Sequence, residues 1–253
     1  MNNFDEYLKN KLRESVENSS PSDYLKNKID LKLKSTEDKG EFKMKKRFIL
    51  IASAMLVLSI GVFAAGKITG TITSSTSYYN YTKYTDVAKA EKKTGIDAEI
   101  PESLGSYGFD GITLIDIADT DDAGAKLNKR KSFKVNYKNE VGEKVILFVD
   151  KYPETSKPIS EQPYNEIREI NGVPVYYSRV ENLFLADEKD ATEEELERSK
   201  NDPFFNLAIG SDKREENASK HLIFDYKGVQ YALMAGDDMD VNEFYKMAEE
   251  IIK

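Results

Sequence analysis

The densest run of potential ligand atoms is Asp119-Thr120-Asp121-Asp122-Ala123-Gly124, with Asp110 and Asp116 upstream. Carboxylate oxygens at this spacing suit a hard divalent cation such as calcium. An EF-hand loop needs an acidic residue at its twelfth position, and counting from Asp119 that place is Arg130. The run reads as a solvated turn, with calcium near Asp119 left open. Glu193, Glu194, Glu195 and Glu197 form a second carboxylate group. A glycosidase needs only two carboxylates, but these read as the solvated face of a short helix. His221 is the one histidine and the chain has no cysteine. A lone imidazole without thiolates makes a poor metal site and reads as a strand residue. Ser20, Ser59 and Ser211 lack a histidine-based triad pattern, and Gly66-Lys67-Ile68-Thr69 is the end of a phosphate loop without its glycines. The expectation is no enzyme, no cofactor and no metal.

The elements that would position these residues alternate between turn and strand signals. Residues 111–118, 132–138 and 144–149 are strand-like. Asn171-Gly172 and Lys227-Gly228 each separate two strand-like runs and predict tight hairpins, with Pro174 placing one strand end at an edge. Residues 85–95 predict a short helix closed by Gly95, and Thr192 with Glu195 predicts a capped exposed helix. The clearest soluble helix begins at Asp240, with Val241, Phe244, Tyr245, Ala248, Ile251 and Ile252 on its apolar side. Tyr78, Tyr79, Tyr81 and Tyr84 lie in a stretch that reads as a stalk, a first strand, or both.

Residues 48–66 form nineteen consecutive uncharged positions, preceded by Lys43, Lys45, Lys46 and Arg47. That length spans a bilayer as a helix, and the basic cluster places the preceding residues on the cytoplasmic side. Two other readings stand beside this: a buried core helix, and an export signal with a small-residue cleavage site ending at Ala64. Upstream, Phe4, Tyr7, Leu8, Leu12 and Val16 share one helical stripe, and Tyr24, Leu25 and Ile29 share a second after Pro21. Two short amphipathic helices bury little by themselves, so these eight residues are the expected partner-binding set.

The chain of 253 residues carries a formal net charge of −8, and the charge is uneven. Residues 1–47 hold 12 basic and 9 acidic side chains, whereas residues 48–253 hold 25 and 36. An acidic domain disfavours polyanions, so no direct nucleic-acid binding is expected. The expected fold is α+β: an antiparallel sheet packed by a C-terminal helix, preceded by a single transmembrane helix and a short helical cytoplasmic tail. The expected divisions are a tail over 1–47, a transmembrane helix over 48–66, a stalk and short helix over 67–95, and an extracellular α+β domain over 96–253.

This layout resembles the single-pass membrane regulatory proteins of Firmicutes, including anti-sigma-factor-like proteins, with an extracellular domain similar to the DUF4367-like one. Three stretches carry the resemblance: residues 100–109 with Ile100-Pro101, residues 167–177 around Asn171-Gly172, and residues 222–233 around Lys227-Gly228. Phe224 stands where that family commonly has tryptophan, and the tail lacks the histidine and cysteines of the zinc-binding anti-sigma pattern. The resemblance implies a cell-membrane protein with a cytoplasmic N-terminus, in signal transduction and transcription regulation. Residues 1–42 would bind a cytoplasmic protein such as a sigma factor, with contacts to the lipid bilayer and to an unknown envelope ligand outside. The alternative is an envelope or spore-surface binding or assembly module without a transcriptional partner.

Overall fold

The computed structural model describes residues 70–120, 126–151 and 158–253, all within one compact unit, Ile49–Lys253. Among the described residues ten strands form a single sheet. In chain order they are β1 (Gly70–Ser75), β2 (Ser103–Leu104), β3 (Tyr107–Thr120), β4 (Lys126–Lys138), β5 (Lys144–Asp150), β6 (Glu166–Ile170), β7 (Val173–Leu185), β8 (Phe205–Ile209), β9 (Glu215–Tyr226) and β10 (Val229–Gly236). The helices are α1 (Val87–Thr94), α2 (Glu193–Asn201) and α3 (Val241–Ile251). The order across the sheet is β1-β3-β4-β5-β10-β9-β7-β6, with β2 added to β3 and β8 to β7.

The sheet is mixed, which corrects the expected purely antiparallel one. β8 runs parallel to β7, pairing Glu181 with Phe205 through Leu185 with Ile209. A parallel neighbour needs a crossover, and α2 supplies it. The expected membrane-spanning element is corrected too. No helix among the described residues is long and apolar enough to cross a membrane. The longest of them, α3, has 11 residues, about 16 Å against the roughly 30 Å of a bilayer core. The run 48–66 and the partner-binding set Phe4, Tyr7, Leu8, Leu12, Val16, Tyr24, Leu25 and Ile29 lie outside the described residues.

The strand order repeats about its centre. β3-β4-β5 and β7-β9-β10 are two antiparallel meanders that meet where Leu147 of β5 faces Leu233 of β10. Equivalent residues then pair alike: Val135 faces Leu147 as Leu222 faces Leu233, and Thr113 faces Lys134 as Ser178 faces His221. The turns that set these registers are left-handed where predicted. Asn171 and Gly172 have φ of 48° and 80°, and Lys227 and Gly228 have 50° and 77°. Pro174 pairs only with β6, two residues before the β9 ladder begins at Tyr176.

Alternation gives the sheet two different faces. On the first face Phe133, Tyr137, Leu147, Phe224, Tyr231 and Leu233 are buried with Ala90 of α1 and Phe244, Met247 and Ile251 of α3. Asp240 caps α3 by accepting from the backbone N–H groups of Asn242 and Glu243, both at 2.9 Å. The second face carries Ile115, Ile146, Phe148, Ile223 and Met234, with Ile159 and Tyr164 packed on it from the β5–β6 connection. The tyrosine-rich stretch is largely folded into the domain. The Tyr84 hydroxyl donates to the carbonyl of Ile100 at 2.8 Å, and that of Tyr79 to Asp110 Oδ2 at 2.6 Å. Tyr79 lies across Gly111, where an added Cβ would come within 2.4 Å of its ring.

Candidate binding cleft

Strand alternation points Arg179, Glu181 and Leu183 of β7 toward the same side as Glu216 and Ala218 of β9. α2 stands over that end of the sheet and presents Glu194, Glu195 and Arg198, while the turn before α3 contributes Asp237. Together they bound a cleft of about 730 Å³, of the size that takes a small ligand or a peptide side-chain group.

A chain of ion pairs spans it. Arg179 grips Asp237 with two parallel bonds, Nε to Oδ1 at 2.7 Å and Nη2 to Oδ2 at 2.8 Å, and its Nη1 lies 3.3 Å from Glu181 Oε1. Glu181 Oε2 accepts from Arg198 Nη2 at 2.8 Å. Arg198 also reaches Asp202 at 3.0 Å and stacks its guanidinium 4.3 Å from the centre of the Phe205 ring. At the rim Arg214 holds Glu195 and Glu216. The hydrogen bonds from Arg198 and Arg179 hold the Glu181 and Asp237 carboxyls below their ordinary range, and Arg214 takes Glu195 down to about 2. α2 is fixed by a complete capping box: Thr192 Oγ1 accepts from the Glu195 N–H at 3.2 Å and Glu195 Oε2 from the Thr192 N–H at 2.9 Å. Five carboxylates line the cleft (Glu181, Glu194, Glu195, Glu216 and Asp237) against the guanidiniums of Arg179 and Arg198 within it and Arg214 at its rim. The cleft thus keeps a negative surplus after its internal pairing.

Other residues singled out in the sequence do not converge on it. Asp119 is fully buried and accepts from Asn128 Nδ2 at 3.0 Å and Arg130 Nη1 at 3.3 Å. Asp116 pairs with Lys131. Asp121 and Asp122 lie outside the described residues. Among the described residues no group of three or more His, Asp or Glu side chains could hold a metal ion.

His221 sits on the second face, away from the cleft, with Nε2 2.8 Å from Ser219 Oγ. This serine–histidine contact is absent from the sequence reading, though Ser219 and His221 stand two apart on one strand and so share a face. Asn206 Nδ2 donates to Asn182 Oδ1 at 3.2 Å, and Asn182 Nδ2 donates to Ser219 Oγ at 3.1 Å, making a polar ladder across β8, β7 and β9. Ser219 is fully buried, and burial takes the imidazole pKa down to about 4. A base that weak, beside a hydroxyl closed to substrate, orders the sheet rather than activating a nucleophile.

Comparison with family models, with curated proteins and with solved structures finds no match for this chain. The resemblance to Firmicutes membrane regulators with a DUF4367-like domain is thereby corrected. The stretches that carried it are strand–turn–strand segments with glycine in left-handed turns, Gly105, Gly172 and Gly228, which many antiparallel sheets require. With no family behind it and no membrane-spanning helix among the described residues, the anti-sigma-like, membrane-anchored regulator is not upheld. Neither are the sigma-factor and lipid-bilayer partners nor the single-pass localisation that followed from it.

Proposed function

We propose that the described domain is a non-catalytic recognition domain whose cleft between α2 and the turn before α3 receives a cationic segment of a partner protein. The observation that carries this reading is the composition of the cleft: five carboxylates around three guanidiniums, four of the carboxylates held by bidentate and shared ion pairs. Preorganised carboxylates recognise guanidinium and ammonium groups without first having to be ordered. The acidic balance of the chain strengthens the same preference at longer range. Placement of the one histidine on the other face, neutral and bonded to Ser219, supports a binding role over a hydrolytic one.

The test is a pair of binding isotherms on the full chain, one with an arginine-rich peptide and one with a glutamate-rich peptide of equal length. The arginine-rich peptide should bind at least tenfold more tightly. Glu194→Gln with Glu216→Gln should weaken it several-fold while leaving the thermal midpoint within a few degrees. Equal affinity for both peptides, or no response to the double substitution, would refute the assignment.

A further inference from the structure

Lys134 occupies an unusual place for a lysine. It lies on β4 with only 4% of its surface exposed, and it forms no hydrogen bond or ion pair among the described residues. Strand geometry sets its neighbours. Thr113 of β3 is directly across from it, Ser132 and Asn136 flank it on its own strand, and Phe148 of β5 stands on the other side. Thr113, Ser132 and Asn136 are each at least 97% buried. The hydroxyls of Thr113 and Ser132 likewise make no hydrogen bond among the described residues. Asn136 Nδ2 reaches only the carbonyl of Gly111, at 3.5 Å. One ammonium and two hydroxyls, all on one sheet face at adjacent strand positions, therefore have no partner among the described residues and keep a narrow contact with solvent, since the Tyr245 hydroxyl is the one fully enclosed side-chain polar atom there without a partner.

The other half of the sheet shows what a self-contained version looks like. The position equivalent to Lys134 is His221, and the position equivalent to Ser132 is Ser219. There the polar groups satisfy one another, from Asn206 through Asn182 and Ser219 to the imidazole. On the Lys134 side the surroundings are electropositive as well. Lys144, paired with Asp110 at 3.8 Å, repels the Lys134 ammonium, and with burial as the larger cause this takes the amine down to about 8. Placing a largely buried cation beside another cation is costly for folding alone.

We infer that Lys134, with Thr113 and Ser132, forms an oxyanion-binding site on the second face of the sheet. The ligand class is a small phosphate or carboxylate group. The ammonium would supply the charge, the two hydroxyls would donate to its oxygens, and Phe148 and Ile115 would flank it on the same face. This site stands apart from the α2–α3 cleft and does not depend on it.

The experiment is an NMR titration of the full chain carrying labelled lysines, with inorganic phosphate in one arm and acetate in the other, run on the parent protein and on Lys134→Met. A saturable shift of the Lys134 side-chain resonance at millimolar anion or below, missing from Lys134→Met, is the expected result. The arm that saturates at lower concentration identifies phosphate or carboxylate as the ligand. Thr113→Val should weaken that response several-fold. Thermal melts separate this from a structural role: removal of an unpartnered buried ammonium should leave the midpoint unchanged or raise it. A non-saturating response in both arms, or a midpoint lowered by more than a few degrees in Lys134→Met, would overturn the assignment.

Discussion

Single atoms in this domain show where its polar groups are balanced and where they are not. The hydroxyl of Tyr245 is buried in α3 with no hydrogen-bond partner among the described residues, beneath the Arg168 guanidinium that stacks 4.0 Å from its ring centre. An enclosed, unbonded hydroxyl costs roughly 1–3 kcal/mol. Tyr245→Phe keeps the ring and removes the hydroxyl, so chemical denaturation should show a gain of about 1 kcal/mol; a loss of that size would mean the hydroxyl has a partner in solution. His221 gives a pH signature. Its folded-state pKa of about 4 lies below the ordinary 6.5, so the unfolded chain binds more protons between those values. Stability therefore falls as pH drops from 6.5 towards 4, by on the order of 3 kcal/mol for a group this buried. His221→Asn should flatten that part of the stability–pH curve, whatever its effect at neutral pH. An unchanged slope would show that the imidazole is not the group responsible.

At the scale of elements, the cleft depends on α2, and α2 depends on its first turn. Thr192→Ala removes one half of the capping box and should cost about 1 kcal/mol of helix stability, read as faster amide exchange through residues 193–201. The depressed carboxyls of Glu181 and Asp237 act in the same region. Their contribution is complete above the ordinary carboxyl range and is lost as pH falls through their lowered values, so exchange at α2 should accelerate below about pH 4. These groups are partly exposed, so added salt should weaken the effect. Turns and caps are the parts of this architecture legible in the sequence. Asn171-Gly172, Lys227-Gly228, Gly95, Thr192 and Asp240 all mark real boundaries, because left-handed turns and unpaired helix N–H groups restrict which residues can occupy them. Strand lengths are less legible. β9 begins at Glu215, well before its apolar run at residues 222–224, and β7 runs to Leu185. The start of β9 carries Glu215, Glu216, Asn217, Ser219 and Lys220 in place of alternating apolar residues and is held by its neighbouring strand, whereas the end of β7 buries Leu183, Phe184 and Leu185 in succession, a run that does not alternate. β8 is hidden for a related reason: parallel pairing through a crossover leaves no local turn signal.

At the largest scale, the described domain is a two-meander sheet with different chemistry on its two faces, and its proposed recognition surface arises from parts distant in the chain. Arg179, Arg198, Glu216 and Asp237 belong to four separate elements, so no spacing rule joins them. Of the candidate residues picked from sequence, Glu194 and Glu195 both line the cleft; Glu195 is tied into the ion network through Arg214, while Glu194 is exposed on the helix. The expectation of a membrane regulator rested on residues outside the described structure and on hairpin chemistry common to many sheets. It is replaced by a reading built on the cleft. Hydrogen exchange on the full chain, with and without an arginine-rich peptide, tests that reading most directly. The account predicts slowed exchange concentrated in α2, in β7 around residues 179–183 and at the turn containing Asp237, with little change along β4 and β5. Protection absent from those segments, or equal protection with a glutamate-rich peptide, would contradict it.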